Sequence, residues 1–133
     1  MGEYVNAKML EMQTYKDLVV WQKAVELARQ IYTLTKKFPP EERFGLSSQM
    51  QRAAVSIPSN IAEGKLRGSS KEFFHFLRIA FGSGGELETQ IEIAKSLPKM
   101  KDLDFIPVET LLDEVMRMIN AMLSRASFLA PRA

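Results

Sequence analysis

At 133 residues the chain suits one domain, long enough to bury a core without disulfide or metal staples. Its 46% apolar and 26% charged residues exclude a disordered or membrane-spanning class, and a formal net charge of +2 does not by itself imply nucleic-acid binding. The absence of cysteine excludes disulfides, thiolate metal sites and thiol nucleophiles and predicts a reducing, cytoplasmic setting.

Residues 1–13 read as an N-terminal extension to a helical domain at residues 14–130. Met1 to Gln13 lacks the basic flank and apolar run of a signal peptide, and Asn6 stands where a myristoylated terminus carries Ser or Thr. No stretch reaches the roughly 18 apolar residues of a spanning helix, so no membrane partner is expected.

The first helix is predicted from about Leu18 to Lys36, capped by Thr14 or Asp17. Leu18, Trp21, Val25, Ala28 and Tyr32 form one apolar stripe, and Val20, Ala24, Leu27, Ile31 and Leu34 form a second beside it. At roughly 100° per residue the two cover about 200° of the helix. The edge helix of a monomeric bundle needs little more than about 100°, so the surplus predicts an intermolecular contact.

Phe38, Pro39, Pro40 and Gly45 interrupt the pattern, and a second helix begins at Leu46. Its seam is Leu46, Met50, Ala53, Ile57 and Ile61; Pro58 predicts a kink and Gly64 a C-terminal cap. The third helix opens with Ser69-Ser70-Lys71-Glu72, a capping box, and carries Phe73, Leu77, Ala80, Gly84, Leu87, Ile91 and Ala94 until Leu97-Pro98 ends it. Gly82, Gly84 and Gly85 each cost up to about 1 kcal/mol in a helix interior, which predicts close packing of that stretch against a neighbour. The fourth helix is predicted from Pro107, with Val108, Leu112, Val115, Ile119, Met122, Ala126 and Leu129 in its seam. Short connections between four such helices predict an all-α, antiparallel up-down-up-down four-helix bundle.

No catalytic set emerges. His75 is the single histidine; Glu72-x-x-His75 is half of a di-iron pattern whose other half is missing, so no metal or cofactor is expected. There is no Gly-x-Ser-x-Gly elbow, and Gly82-Ser83-Gly84-Gly85 lacks the lysine of a phosphate-binding loop. Glu88 and Glu92 read as a solvated face.

Charge is unevenly spread. Arg43, Arg52, Lys65, Arg67, Lys71 and Arg78 face only Glu63 and Glu72 within residues 43–78, whereas carboxylates dominate residues 79–114. The connection from Gly64 to Lys71 gathers basic side chains, hydroxyls and helix N-terminal amides suited to phosphate oxygens, with a solvated, well-capped turn as the plainer reading. Arg52, Lys65, Arg67, Lys71 and Arg78 are therefore the candidate nucleic-acid residues. A polar stripe of Gln49, Arg52, Ser56, Asn60 and Glu63 edges the second seam; with Trp21 it supplies candidate interface residues, a simply wet edge being the alternative.

Three runs carry a family likeness: Tyr15-Lys16-Asp17-Leu18-x-x-Trp21-Gln22-Lys23-Ala24; Phe38-Pro39-x-x-Glu42-x-x-Gly45-Leu46-x-x-Gln49; and Arg52-Ala53-Ala54-x-Ser56-Ile57-x-x-Asn60-Ile61-Ala62-Glu63-Gly64. With Ser70-Lys71-Glu72-Phe73 and Gly82-Ser83-x-x-Glu86-Leu87-Glu88-Thr89-Gln90, the chain resembles the four-helix-bundle family of bacterial 23S ribosomal-RNA intervening-sequence proteins from about Tyr15 to Leu97. Gly84 and Gly85 stand where that family carries bulkier residues. The resemblance implies a homopentamer. It also implies a link to the accessory variability determinant of diversity-generating retroelements, a basic pentameric bundle that binds nucleic acid and a reverse transcriptase. The expected partners are accordingly a second copy of the chain, RNA or DNA, and a reverse transcriptase or other operon partner. A structural oligomer without nucleic-acid contact is the alternative.

Overall fold

The computed structural model describes residues 14–129, with side chains through residue 125. The extension at residues 1–13, the seam side chains expected at Ala126 and Leu129, and the chain beyond Leu129 lie outside the described residues. Four long helices, α1 (Val19–Thr35), α2 (Leu46–Leu66), α3 (Ser70–Ser96) and α4 (Ile106–Leu129), form an all-α four-helix bundle, and no strand occurs among the described residues.

The Thr14–Asp17 cap belongs to a short 3-10 turn, Tyr15–Asp17, that precedes α1. The Thr14 amide and hydroxyl donate to Asp17 Oδ2 at 3.3 and 3.2 Å, and extended backbone at Leu18 then feeds the helix, which has no side-chain cap of its own. The second apolar stripe of α1, Val20, Ala24, Leu27, Ile31 and Leu34, is buried in the core. In α2 the carboxylate of Glu42 caps the start, accepting from the Leu46 amide at 3.2 Å. The helix continues through buried Pro58 to Leu66.

Gly64 is therefore not a C-terminal cap. It lies inside α2, where a Cβ would sit 2.7 Å from Phe76 Cβ and 3.2 Å from the Phe73 carbonyl oxygen, so its bare Cα allows α2 and α3 to approach closely. The chain reverses at Gly68 instead, whose φ of 83° is a left-handed conformation that glycine adopts without penalty. Ser69 then caps α3, its Oγ accepting from the Glu72 amide at 3.2 Å. The Glu72 carboxylate does not complete the box; it turns toward Arg67, 3.9 Å away.

Ser56 Oγ meets Ser83 Oγ at 2.8 Å, while Gly64, eight residues later on α2, meets Phe76, seven residues earlier on α3, so the two helices pair in opposite chain directions. Of the α3 glycines only Gly84 packs as expected, against Met116 of α4. Added Cβ atoms at Gly82 and Gly85 would meet nothing within 4 Å, so the expected close packing of that stretch does not extend to these two.

Fully buried Leu27, Ile31, Met50, Ile57, Ile61, Leu77, Leu87, Ile91, Val115 and Ile119 fill the centre. Each contributes about 1.5–3 kcal/mol of transfer free energy. Phe38, Met100 and Phe105, from the connections, close one end of the core, with the two phenyl centroids 6.2 Å apart. Helix α4 begins at Ile106, one residue before the expected Pro107, because Asp104 Oδ1 accepts from the Ile106 amide at 3.0 Å.

Candidate interaction surfaces

The α2–α3 turn brings together Lys65, Arg67 and Lys71, all exposed. Two of them are engaged within the chain. Arg67 Nη2 binds Glu63 Oε1 at 2.7 Å, its Nε lies 3.9 Å from Glu72, and its guanidinium sits 5.2 Å over the Phe76 ring. The Lys65 ammonium lies 5.4 Å over the Phe73 ring. The turn is thus backed by aromatic rings that the residue order from Gly64 to Lys71 does not contain; the helix period delivers them from the next turn of α3. Such cation–ring contacts at exposed sites are worth about 0.5–1 kcal/mol.

Arg52 and Arg78 are exposed as well, but neither belongs to this turn. Arg52 lies 13 residues before Lys65 on the same helix, about 20 Å along its axis at 1.5 Å per residue. Among the described residues Arg52, Lys71 and Arg78 make no ion pair. The five candidate cations therefore form a turn cluster and two outliers, and carboxylates already neutralise one cluster member.

The polar stripe of α2 divides in the same way. Ser56 and Asn60 are half-buried and answer one another: Asn60 Nδ2 donates to the Ser56 carbonyl at 2.8 Å and to Ser56 Oγ at 2.9 Å, while Ser56 Oγ joins Ser83. Gln49, Arg52 and Glu63 are exposed. Trp21 is half-buried against the core, with its ring edge-on to Tyr15 at 5.3 Å.

His75 is exposed and lies edge-on to Phe76 at 5.3 Å. Among the described residues no group of three or more His, Cys, Asp or Glu side chains converges on a point where a metal ion could sit. Glu88 and Glu92 are exposed, and with Glu109 and Asp113 they rim a shallow depression over Ile91, Leu112 and Met116 between α3 and α4. No helix among the described residues is long and apolar enough to cross a membrane.

The first stripe of α1 has a different fate from the second. Val25, Ala28 and Tyr32 form one wall of an open groove whose other wall is Val55 and Pro58 of α2, with Arg29, Thr33 and Lys36 at its rim and a volume of about 520 Å³. Tyr32 is 45% and Val55 41% exposed. Ala28 is buried and Leu18, Trp21 and Val25 are half-buried, so within the chain the uncovered part of the stripe is centred on Tyr32. Residue spacing missed a second feature altogether: Phe44, in the α1–α2 connection, is 88% exposed, with the Arg43 guanidinium 5.2 Å over its ring. It falls outside every helical stripe, so periodicity gives no signal for it.

A family model described as 23S rRNA-intervening sequence protein matches residues 16–121. A crystal structure of a protein with unknown function from the S23 ribosomal protein family of Bacteroides thetaiotaomicron VPI-5482 is similar in fold. Its TM-score is 0.68 at 24% identity, and the match covers 79% of this chain and 98% of that one. No curated protein matches the chain. Neither description names a reaction.

Proposed function

The chain belongs to the 23S rRNA-intervening sequence protein family, and from that premise we propose that it acts in the cytoplasm without catalysis, as a self-associating bundle whose repeated basic surface contacts nucleic acid. The observation that carries self-association is the uncovered groove between α1 and α2, floored by Val25, Ala28 and Pro58 and flanked by half-exposed Tyr32 and Val55. A contiguous apolar surface of this kind on a small protein is stabilised by a partner. The family resemblance supports five copies.

Nucleic-acid contact draws on exposed Lys65, Lys71, Arg52 and Arg78. One subunit offers few phosphate contacts; five copies multiply the counterions released and steepen the dependence on salt. The pinning of Arg67 by Glu63 and Glu72 favours a second reading, an oligomer that holds a protein partner, such as a reverse transcriptase or another product of its operon, without touching nucleic acid.

Light scattering on the purified chain tests the first element: several subunits, most simply five, are expected, and a monomeric mass at micromolar concentration would overturn it. Replacing Lys65, Arg67 and Lys71 together with alanine tests the second, leaving the cap Ser69 in place. The triple variant should bind duplex and single strands more weakly and with a flatter salt slope, since phosphate contacts carry no sequence information. If the parent chain binds neither RNA nor DNA at about 0.1 M salt, where such contacts are still strong, the protein-partner reading takes over.

A further inference from the structure

We propose that the groove between α1 and α2 is filled by Phe44 of a neighbouring copy. This rests on the self-association reading above and identifies the group that occupies the uncovered surface.

Groove and ring are complementary features of one chain. The groove offers about 520 Å³ between Val25, Ala28 and Tyr32 on one side and Val55 and Pro58 on the other. A closed apolar cavity of about 150 Å³ already holds a benzene ring, so a phenyl group fits with room for its flanking backbone. Among the described residues Phe44 is the most exposed large apolar side chain, at 88%.

Its exposure is built into the turn. The Glu42 amide donates to the Pro39 carbonyl at 2.9 Å, the Arg43 amide to Pro40 at 3.1 Å and the Gly45 amide to Glu42 at 3.1 Å. The Glu42 carboxylate is fixed on the Leu46 amide, and Glu41 is held by Lys99. Backbone bonds on both sides of Phe44 therefore hold the ring outward, with the Arg43 guanidinium over it and the residue still 88% exposed. Lys36 lines both the groove and the hollow beneath Phe44, so the two features lie side by side, yet the ring does not enter its own groove.

The other strongly exposed apolar residues among those described fit less well. Leu66 is 71% exposed but stands between Lys65 and Arg67, which would meet Arg29 and Lys36 on the groove's rim as like charges. Ile106, 69% exposed, projects a shorter side chain directly from the first turn of α4. Phe44 carries Arg43 on its ring, but Glu41 and Glu42 stand beside it and, with Lys99, leave its surroundings without the net positive charge that Leu66 would bring to that rim.

The contact joins two different patches. Every copy then has one ring to give and one groove to fill, and copies add until a rotation closes the assembly. This gives the test its form. Phe44→Ser removes the ring and keeps the groove; Val55→Glu blocks the groove and keeps the ring. Both positions are exposed enough for the fold to survive, which circular dichroism checks, and Tyr32→Glu is the substitute should Val55→Glu fail to fold.

Each variant alone should dissociate to a smaller species, with self-association weakened by about 30-fold or more, the scale of a buried aromatic anchor. An equimolar mixture should recover one ring-in-groove contact and stop at a two-subunit complex by sedimentation or native mass spectrometry. A Phe44→Ser protein that assembles as the parent does would overturn the proposal, as would a mixture of folded variants that stays dissociated. If Phe44→Ser instead weakens binding of a single-stranded oligonucleotide and leaves the mass unchanged, the ring is a base-stacking platform and the assignment is wrong. A monomeric parent would mean that self-association itself has failed; an assembled parent with an unaffected Phe44→Ser variant would mean that only the choice of occupant has.

Discussion

The α2 and α3 glycines differ in what an added methyl group would meet. At Gly64 it would press on Phe76 Cβ and on the backbone of Phe73, neither of which moves aside without separating two helices. Gly64→Ala should therefore lower stability by about 1–3 kcal/mol, the usual cost of overpacking. Gly82 and Gly85 face open space, so alanine there gains helix propensity without a clash and should raise stability by about 0.5–1 kcal/mol. Thermal or urea unfolding of the three variants checks both signs; equal effects would mean that close helix approach is not what Gly64 serves. Arg67 gives a second test at this scale. Because Glu63 and Glu72 already hold it, Arg67→Ala should reduce nucleic-acid affinity less than Lys71→Ala does, measured side by side at one salt concentration.

Helix ends and connections decide how the four elements are held in place. Ser69 Oγ is the side-chain acceptor for the α3 start, and Ser69→Ala should cost about 1 kcal/mol, visible as a lowered denaturation midpoint. The α1–α2 and α3–α4 connections are tied by Glu41 and Lys99. The hydrogen bond from Lys99 holds the Glu41 carboxyl below its ordinary 4.5, and the same bond raises the Lys99 ammonium above 10.5. A lowered carboxyl contributes stability that is complete above 4.5 and is lost as pH falls through its folded value; a raised ammonium contributes stability that is complete below 10.5 and is lost above it. The melting temperature of Lys99→Ala should thus fall below that of the parent at pH 7 and converge with it well below pH 4.5. Both side chains are exposed, so the difference is small and should shrink at about 1 M salt, where the screening length is about 3 Å.

The whole molecule separates an apolar surface, around the α1–α2 groove and Phe44, from charged ones. Apolar association withstands salt, whereas phosphate contacts release counterions and weaken as salt rises. At about 0.5 M salt the oligomer should persist while any bound oligonucleotide is released, a divergence that light scattering and fluorescence anisotropy on the same sample would reveal. Loss of both together would mean that nucleic acid, not the groove, holds the copies.

Helix number, the main core positions and the Ser69 start were legible in the residues, because a helix's period fixes which side chains share a face whatever lies opposite. Leu27, Ile31, Ile57, Leu77, Leu87 and Ile119 follow from that spacing and are buried. The excess apolar arc of α1 is equally legible, although spacing alone does not say that Ala28 is buried while Tyr32 stays exposed. What an element faces depends on residues distant in sequence, and only the tertiary structure decided those points. It made Gly64 a crossing point instead of a cap, left Gly82 and Gly85 bare, paired Arg67 with two carboxylates, and closed the core with Phe38, Met100 and Phe105 from the connections. Phe44 belongs with these: a single aromatic outside any periodic stripe has no partner pattern to reveal it, and its outward position is fixed by the backbone bonds of a turn.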